Sequence, residues 1–194
     1  MPLRREGYGI LGGVFDPPHV GHLIIAQFIR QEFSLKKIIF VPAGNPPHKT
    51  GYSAFPLRRR MTELAVSGNR NFRVDPIEGR MTGKTYTAQV VKNLKMIYAR
   101  PLFFIIGADQ WAEIGTWKDP SSLFRICRMI VVPRSGHPVR PRPPRVLVSR
   151  APRIDISSTM IRALVTEDLS IEYLTPDPVV KYIREHNLKK QWIK

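Results

Sequence analysis

The sequence predicts an α/β fold: a doubly wound parallel sheet with helices on both faces, in a single domain spanning 1–194. Two observations carry this. Short apolar runs of strand length alternate at least four times with segments whose apolar residues recur at helical spacing. The His19/His22 stretch, Pro42 to Lys49 and Gly107-Ala108-Asp109 follow the first, second and fourth of these strands, at the carboxyl ends where ligands gather in an open parallel sheet.

In chain order, 1–7 reads as a frayed basic start and Tyr8 to Leu11 as the first strand. Ile25, Phe28, Ile29 and Phe33 mark the first helix. Lys36 to Val41 is the second strand, and Pro42 to Lys49 is a proline-stiffened loop at its end. Phe55 to Gly68 is a helix with Pro56 at its start; Arg58, Arg59 and Arg60 fan out around it and are expected to be mostly solvated. Phe72 to Ile77 is a short strand. Gly83 to Thr87 opens a helix with Thr85 as its candidate N-cap, and Val90, Leu94, Ile97 and Tyr98 share one face. Leu102 to Ile106, the most apolar run, fits a central strand; Gly107, Ala108 and Asp109 follow it, with Trp111 and Trp117 in short helical segments beyond. Trp117 stands among polar residues and is the better stacking platform of the two.

Met129 to Val132 is a further strand. The composition then shifts: 133–153 holds six Arg, six Pro and no acid, and reads as a basic loop segment apart from a strand at Arg145 to Val148. Residues 156–194 form a helical C-terminal part, with Ser157 or Ser158 as N-cap of one helix and Val179, Val180 and Ile183 inward on another over Pro176 to Asn187. The tail from Lys189 is expected to be exposed.

A chain of 194 residues buries about 70% of its unfolded surface, enough for one core. No apolar run approaches the roughly 20 residues of a membrane span, and the N-terminus lacks a secretory apolar segment, so no membrane association and a cytoplasmic location are expected. The single cysteine, Cys127, excludes an internal disulfide and a cysteine zinc cluster, and reads as a buried small residue. With 31 Lys and Arg against 15 Asp and Glu, the formal charge of +16 implies an anionic partner.

Gly12-Gly13-Val14-Phe15-Asp16-Pro17-Pro18-His19-Val20-Gly21-His22 organises the rest. It places two histidines between a strand and a helix start, where unpaired N–H groups bind phosphate readily. Gly12 and Gly13 permit close backbone approach or positive φ, and Gly21 leaves room between the imidazoles. His48 and Lys49 end the second-strand loop on the same side. Ile156-Ser157-Ser158-Thr159-Met160-Ile161-Arg162 opens a second phosphate-type helix start, which from spacing alone is also a plain capped helix.

The His-x-Gly-His stretch resembles the signature of the nucleotidyltransferase superfamily, shared in related form with class I aminoacyl-tRNA synthetases. Together with Pro46-Pro47-His48-Lys49, Thr85-Tyr86-Thr87, Ile106-Gly107-Ala108-Asp109, Trp117, Pro133-Arg134-Ser135-Gly136 and the Ile156 to Arg162 stretch, it resembles the bacterial nicotinate-nucleotide adenylyltransferases over the whole chain. The resemblance implies a Rossmann-like nucleotidyltransferase fold, ATP and nicotinate mononucleotide as substrates, Mg²⁺ with the ATP, and a place in NAD biosynthesis.

It also implies residue roles. His19, His22, Lys49 and Arg162 would be catalytic. Gly12, Gly13, Val14, Phe15, Gly21, Gly107, Asp109, Ile156, Ser157 and Ser158 would join His19, His22 and Arg162 around ATP. His48, Lys49, Thr85, Asp109 and Trp117 would hold the mononucleotide, and no residue is assigned to a metal. Val14 departs from the pattern, since relatives often carry a hydroxyl there; that contact is missing or made by backbone.

Two other readings compete: a basic nucleic-acid-binding module using the Arg/Pro segment, and a tRNA synthetase-like enzyme. The first leaves His19, His22, Asp109 and Ser158 unexplained, and the segment lacks an aromatic residue on which a base stacks. The second finds little room for an anticodon-binding domain. Nucleic acid is therefore disfavoured, other small-molecule adenylyl acceptors remain alternatives, and homo-oligomerisation is left open.

Overall fold

The computed structural model describes residues 7–46, 51–134, 136–137, 139 and 146–193. His48 and Lys49 therefore lie outside the described residues, as do most of the basic start and much of the Arg/Pro segment.

Six strands form one sheet: β1 (Tyr8–Gly13), β2 (Lys37–Pro42), β3 (Phe72–Val74), β4 (Leu102–Gly107), β5 (Arg128–Val132) and β6 (Val146–Val148). Their order is β3-β2-β1-β4-β5-β6, and every pair is parallel. The predicted doubly wound class is the observed one. The short third strand ends at Val74, because Asp75-Pro76 follows and proline has no N–H for the ladder; Ile77 instead begins a 3₁₀ turn.

Both faces of the sheet are apolar, and successive residues alternate between them. Ile39 and Val41 pack with Ile106, Met129 and Val131 under α3 (Thr87–Ile97) and α5 (Pro120–Ile126). Ile38 and Phe40 pack with Ile105, Ile130 and Val132 under α1 (Val20–Glu32) and α2 (Phe55–Val66). A third cluster joins α2 to α6 (Ser158–Thr166) and α7 (Asp177–Glu185) through Met61, Ile161, Val179 and Ile183. It seats the C-terminal helices beside the carboxyl ends of the strands. Cys127 is buried, as expected. Among the described residues no helix is long and apolar enough to cross a membrane.

Several local expectations are corrected. Thr85 is not a helix cap: α3 begins at Thr87, with Tyr86 in the cap position and no side-chain cap bond. Thr85 is instead held by Asn45, forty residues away, whose N–H donates to Oγ1 (3.3 Å) and whose carbonyl accepts from the Thr85 N–H (3.0 Å). Ile97 is exposed rather than inward. The tail is not free: α8 (Lys189–Trp192) docks, and the Trp192 indole N–H donates to Ser53 Oγ at 2.8 Å. Arg58 is fully buried, although Arg59 and Arg60 face solvent as expected.

Candidate active site

The site opens where the sheet splits. β1 pairs with β4 only as far as Leu11 and Ile105, whereas β1 stays on β2 through Gly13 and β4 stays on β5 through Gly107. Past Leu11 the two central strands part, and a cleft forms between their ends. This is the switch point of a doubly wound sheet, where strand order reverses.

Three adjoining cavities of about 340, 540 and 470 Å³ make up the cleft. Asp109, just past β4, borders all three. His19, Gly21, His22, Ile156 and Ser157 line the first. Gly12 to Phe15, His22, Gly107, Ser158 and Arg162 line the second. Thr85, Trp117 and again Gly12 to Val14 line the third. Every predicted site residue that the structure describes is thus brought to one rim. Neither Gly12 nor Gly13 has positive φ, so that expected use is not the one observed; a Cβ on Gly13 would lie 2.9 Å from the Phe15 ring.

The histidines are arranged by the start of α1. His19 is the residue before the helix, and its N–H donates to Nδ1 of His22 (3.2 Å). A neutral His22 accepting at Nδ1 carries its proton on Nε2. The rings lie 3.7 Å apart at 30°. A Cβ on Gly21 would sit 3.0 Å from His19 Nδ1, so the glycine leaves the space this pairing needs. Burial and then the Arg134 guanidinium push the His19 pKa down to about 4, so the ring is neutral at pH 7. Its Nδ1 is buried with no hydrogen-bond partner among the described residues.

The second helix start is docked against the same turn. Ser157 caps α6 by accepting from the Met160 N–H (3.1 Å), so it, not Ser158, is the N-cap. The Ser158 hydroxyl donates to the Pro17 carbonyl (2.8 Å), and Arg162 Nη1 donates to the Asp16 carbonyl (2.7 Å). Two helix N-termini, of α1 and α6, therefore face one cleft with partial positive charge.

The wall of the third cavity is built from Thr85, Tyr86, Trp117 and Lys118. Trp117 is held edge-on to Phe104 (6.3 Å, 83°), and the Lys118 ammonium lies 4.4 Å from the centre of the Tyr86 ring. Glu78 closes the floor, accepting from the Gly44 N–H (2.9 Å) and from the Thr85 hydroxyl; burial raises its pKa.

A family model described as cytidylyltransferase-like matches residues 10–164. The chain belongs to the cytidylyltransferase-like family. Similar to it are proteins named "probable nicotinate-nucleotide adenylyltransferase". One, from Thermoanaerobacter sp. (strain X514), is 40% identical over 97% of this chain and 96% of its own. Another, from Moorella thermoacetica (strain ATCC 39073 / JCM 9320), is 41% identical over 97% and 94%. The fold matches the Plasmodium falciparum nicotinic acid mononucleotide adenylyltransferase complexed with NaAD (TM-score 0.79, 20% identity, 95% of this chain and 98% of that one). It also matches the same enzyme complexed with APC (TM-score 0.78, 18% identity, the same coverage).

Sequence reasoning gave no individual role to three residues at or beside this cleft. Arg134 borders two of the cavities, and its Nη1 lies 3.3 Å from Asp109 Oδ2. It follows β5 as Asp109 follows β4, so the rule that strand ends carry ligand residues would have found it. Glu78 gave no local signal, because its partners Gly44 and Thr85 are remote in sequence. Arg58 was hidden in a run of three arginines.

Proposed function

We propose that this chain joins the AMP part of ATP to nicotinate mononucleotide, giving nicotinate adenine dinucleotide and pyrophosphate, and that residues 1–194 act as one domain. A phosphate oxygen of the mononucleotide attacks the α-phosphorus of ATP. The bond from that phosphorus to the oxygen bridging the β-phosphorus breaks, and pyrophosphate leaves with the electron pair. The nucleophile already exists, so the protein contributes positioning and charge stabilisation.

The observation that carries this reading is the continuous cleft in which both histidines, Asp109, Ser158 and Arg162 meet at the split between β1 and β4. ATP would lie across the first two cavities, on His19, His22 and the N-terminus of α6. His22 Nε2–H is a donor for an α-phosphate oxygen, and Arg162 and Ser158 would face the leaving pyrophosphate. His48 and Lys49 are assigned to the mononucleotide phosphate from the resemblance alone.

The third cavity would take the nicotinate end, with Trp117 stacking on the ring and Asp109 reaching a ribose. The N–H groups of Thr85 and Trp117 are engaged, to Asn45 and Ile114. Those of Tyr86 and Lys118 have no acceptor among the described residues, so they are the donors available to a ring carboxylate.

Among the described residues no group of three or more His, Cys, Asp or Glu forms a metal cage. Mg²⁺ fits as an ion carried on the triphosphate, as it commonly is, where it would neutralise phosphate charge. Asp109 and Asp16 border the second cavity, each with an Oδ1 buried without a partner among the described residues, and are the carboxylates available to such an ion.

The test is pyrophosphate release with ATP and Mg²⁺ from a panel of nicotinate mononucleotide, nicotinamide mononucleotide, phosphopantetheine and FMN. Nicotinate mononucleotide is expected to be fastest. Equal rates with nicotinamide mononucleotide contradict the assignment of the carboxylate, and turnover of another member alone contradicts the substrate.

A further inference from the structure

Arg58 is an unusual residue for its place. It is fully buried, and it sits near the start of α2, where the helix dipole disfavours a cation. Its partners are backbone carbonyls on three separate segments. Nε donates to Ser53 O (2.7 Å), Nη1 to Val14 O (2.9 Å) and Ala43 O (2.7 Å), and Nη2 to Gly44 O (3.3 Å). The rings of Tyr52 and Phe55 lie 4.8 and 5.6 Å from the guanidinium carbon. One side chain thus ties the end of β1, the end of β2 and the residue two before α2 into a fixed arrangement.

The bond to Val14 has a directional consequence. The Val14–Phe15 peptide is trans, so its C=O and N–H point in opposite directions. Pulling the Val14 carbonyl toward Arg58 turns the Phe15 N–H the other way. Phe15 has φ +53°, borders the second cavity, and packs its ring against Phe40 and His22. Its N–H has no acceptor among the described residues. Val14 has no side-chain donor, so a phosphate at this turn depends on main-chain N–H groups.

We propose that Arg58 is a positioning residue for the transfer: by holding the Val14 carbonyl out of the cleft it aims the Phe15 N–H at the α-phosphate of ATP. The proposal rests on the reading of the second cavity as the ATP site. The planar fork is what the role requires, since a lysine ammonium cannot span four carbonyls in this geometry.

The experiment compares wild type and Arg58→Lys on ATP and on the two diastereomers of ATPαS, with nicotinate mononucleotide and a constant Mg²⁺ concentration, after the folded fraction has been measured by circular dichroism. Wild type is expected to discriminate between the diastereomers. Arg58→Lys is expected to lose about 10- to 100-fold in kcat/KM for ATP and to compress the diastereomer ratio, because one α-oxygen is no longer addressed. A purely structural role lowers both diastereomers in proportion and leaves the ratio unchanged, which overturns the proposal. Wild type that does not discriminate overturns it too. Absence of any turnover removes the functional reading and the inference with it.

If Arg58→Lys does not fold, the amide spectrum of the wild type decides. The Phe15 amide proton moves downfield when a non-hydrolysable ATP analogue binds, and a Phe15 signal that stays in place overturns the proposal.

Discussion

His19 and His22 are locked to each other: the backbone N–H of the first donates to Nδ1 of the second, and the rings stack 3.7 Å apart. A pair this close does not hold two positive charges easily, and burial already holds His19 neutral. At the histidine pair, His19 therefore contributes a neutral ring, and the fixed positive charge of the second cavity comes from Arg134 and Arg162.

One prediction concerns pH. His19 titrates near 4 in the folded chain, against an ordinary 6.5. Between those values the unfolded chain binds the extra proton, so stability falls as pH drops through the window and does not fall further from this cause below it. The loss attributable to His19 is roughly 3 kcal/mol. His19→Gln is expected to flatten this part of the pH-stability curve in chemical denaturation; an unchanged slope contradicts the burial argument.

Arg162 and Ser158 tie α6 to the Asp16-Pro17 turn and face the second cavity. Arg162→Met removes a charge-assisted donor, and kcat/KM for ATP is expected to fall by about 10- to 100-fold. Initial rates across ATP concentrations check this; a change under twofold takes Arg162 out of the phosphate site.

Trp117→Ala is expected to raise KM for the mononucleotide by about fivefold to tenfold, as loss of one stacking surface does. KM for ATP stays within twofold, because Trp117 borders the third cavity and not the first two. Equal effects on both substrates contradict the division of the cleft.

Gly44 has no room for a methyl group: a Cβ there would lie 2.6 Å from the Glu78 carbonyl oxygen, a main-chain atom that cannot swing aside. Gly44→Ala is expected to cost about 1–3 kcal/mol, read as a drop of the thermal midpoint; an unchanged midpoint shows that the two loops slide freely.

The sheet and the first site motif were legible because their signals are local. Ile38-Ile39-Phe40-Val41 has the strand pattern of a sheet covered on both faces, and His19 and His22 sit three residues apart between a strand and a helix. What could not be read depends on partners far along the chain. Thr85 has the local look of a cap, yet its hydroxyl is claimed by Asn45 and Glu78. Arg58 has the local look of a solvated charge, yet carbonyls from residues 14, 43, 44 and 53 converge on it. Trp192 closes a tail that composition alone describes as polar and free. A side chain's type does not reveal which distant backbone group will satisfy it.

The central claim is that the rim of the cleft stabilises charge as the α-phosphorus is attacked, and His22→Ala tests it most directly. Turnover of ATP with nicotinate mononucleotide, measured by pyrophosphate release on protein shown to be folded, is expected to fall by about 10²–10³, with KM for ATP much less affected. Turnover within threefold of wild type would contradict the claim.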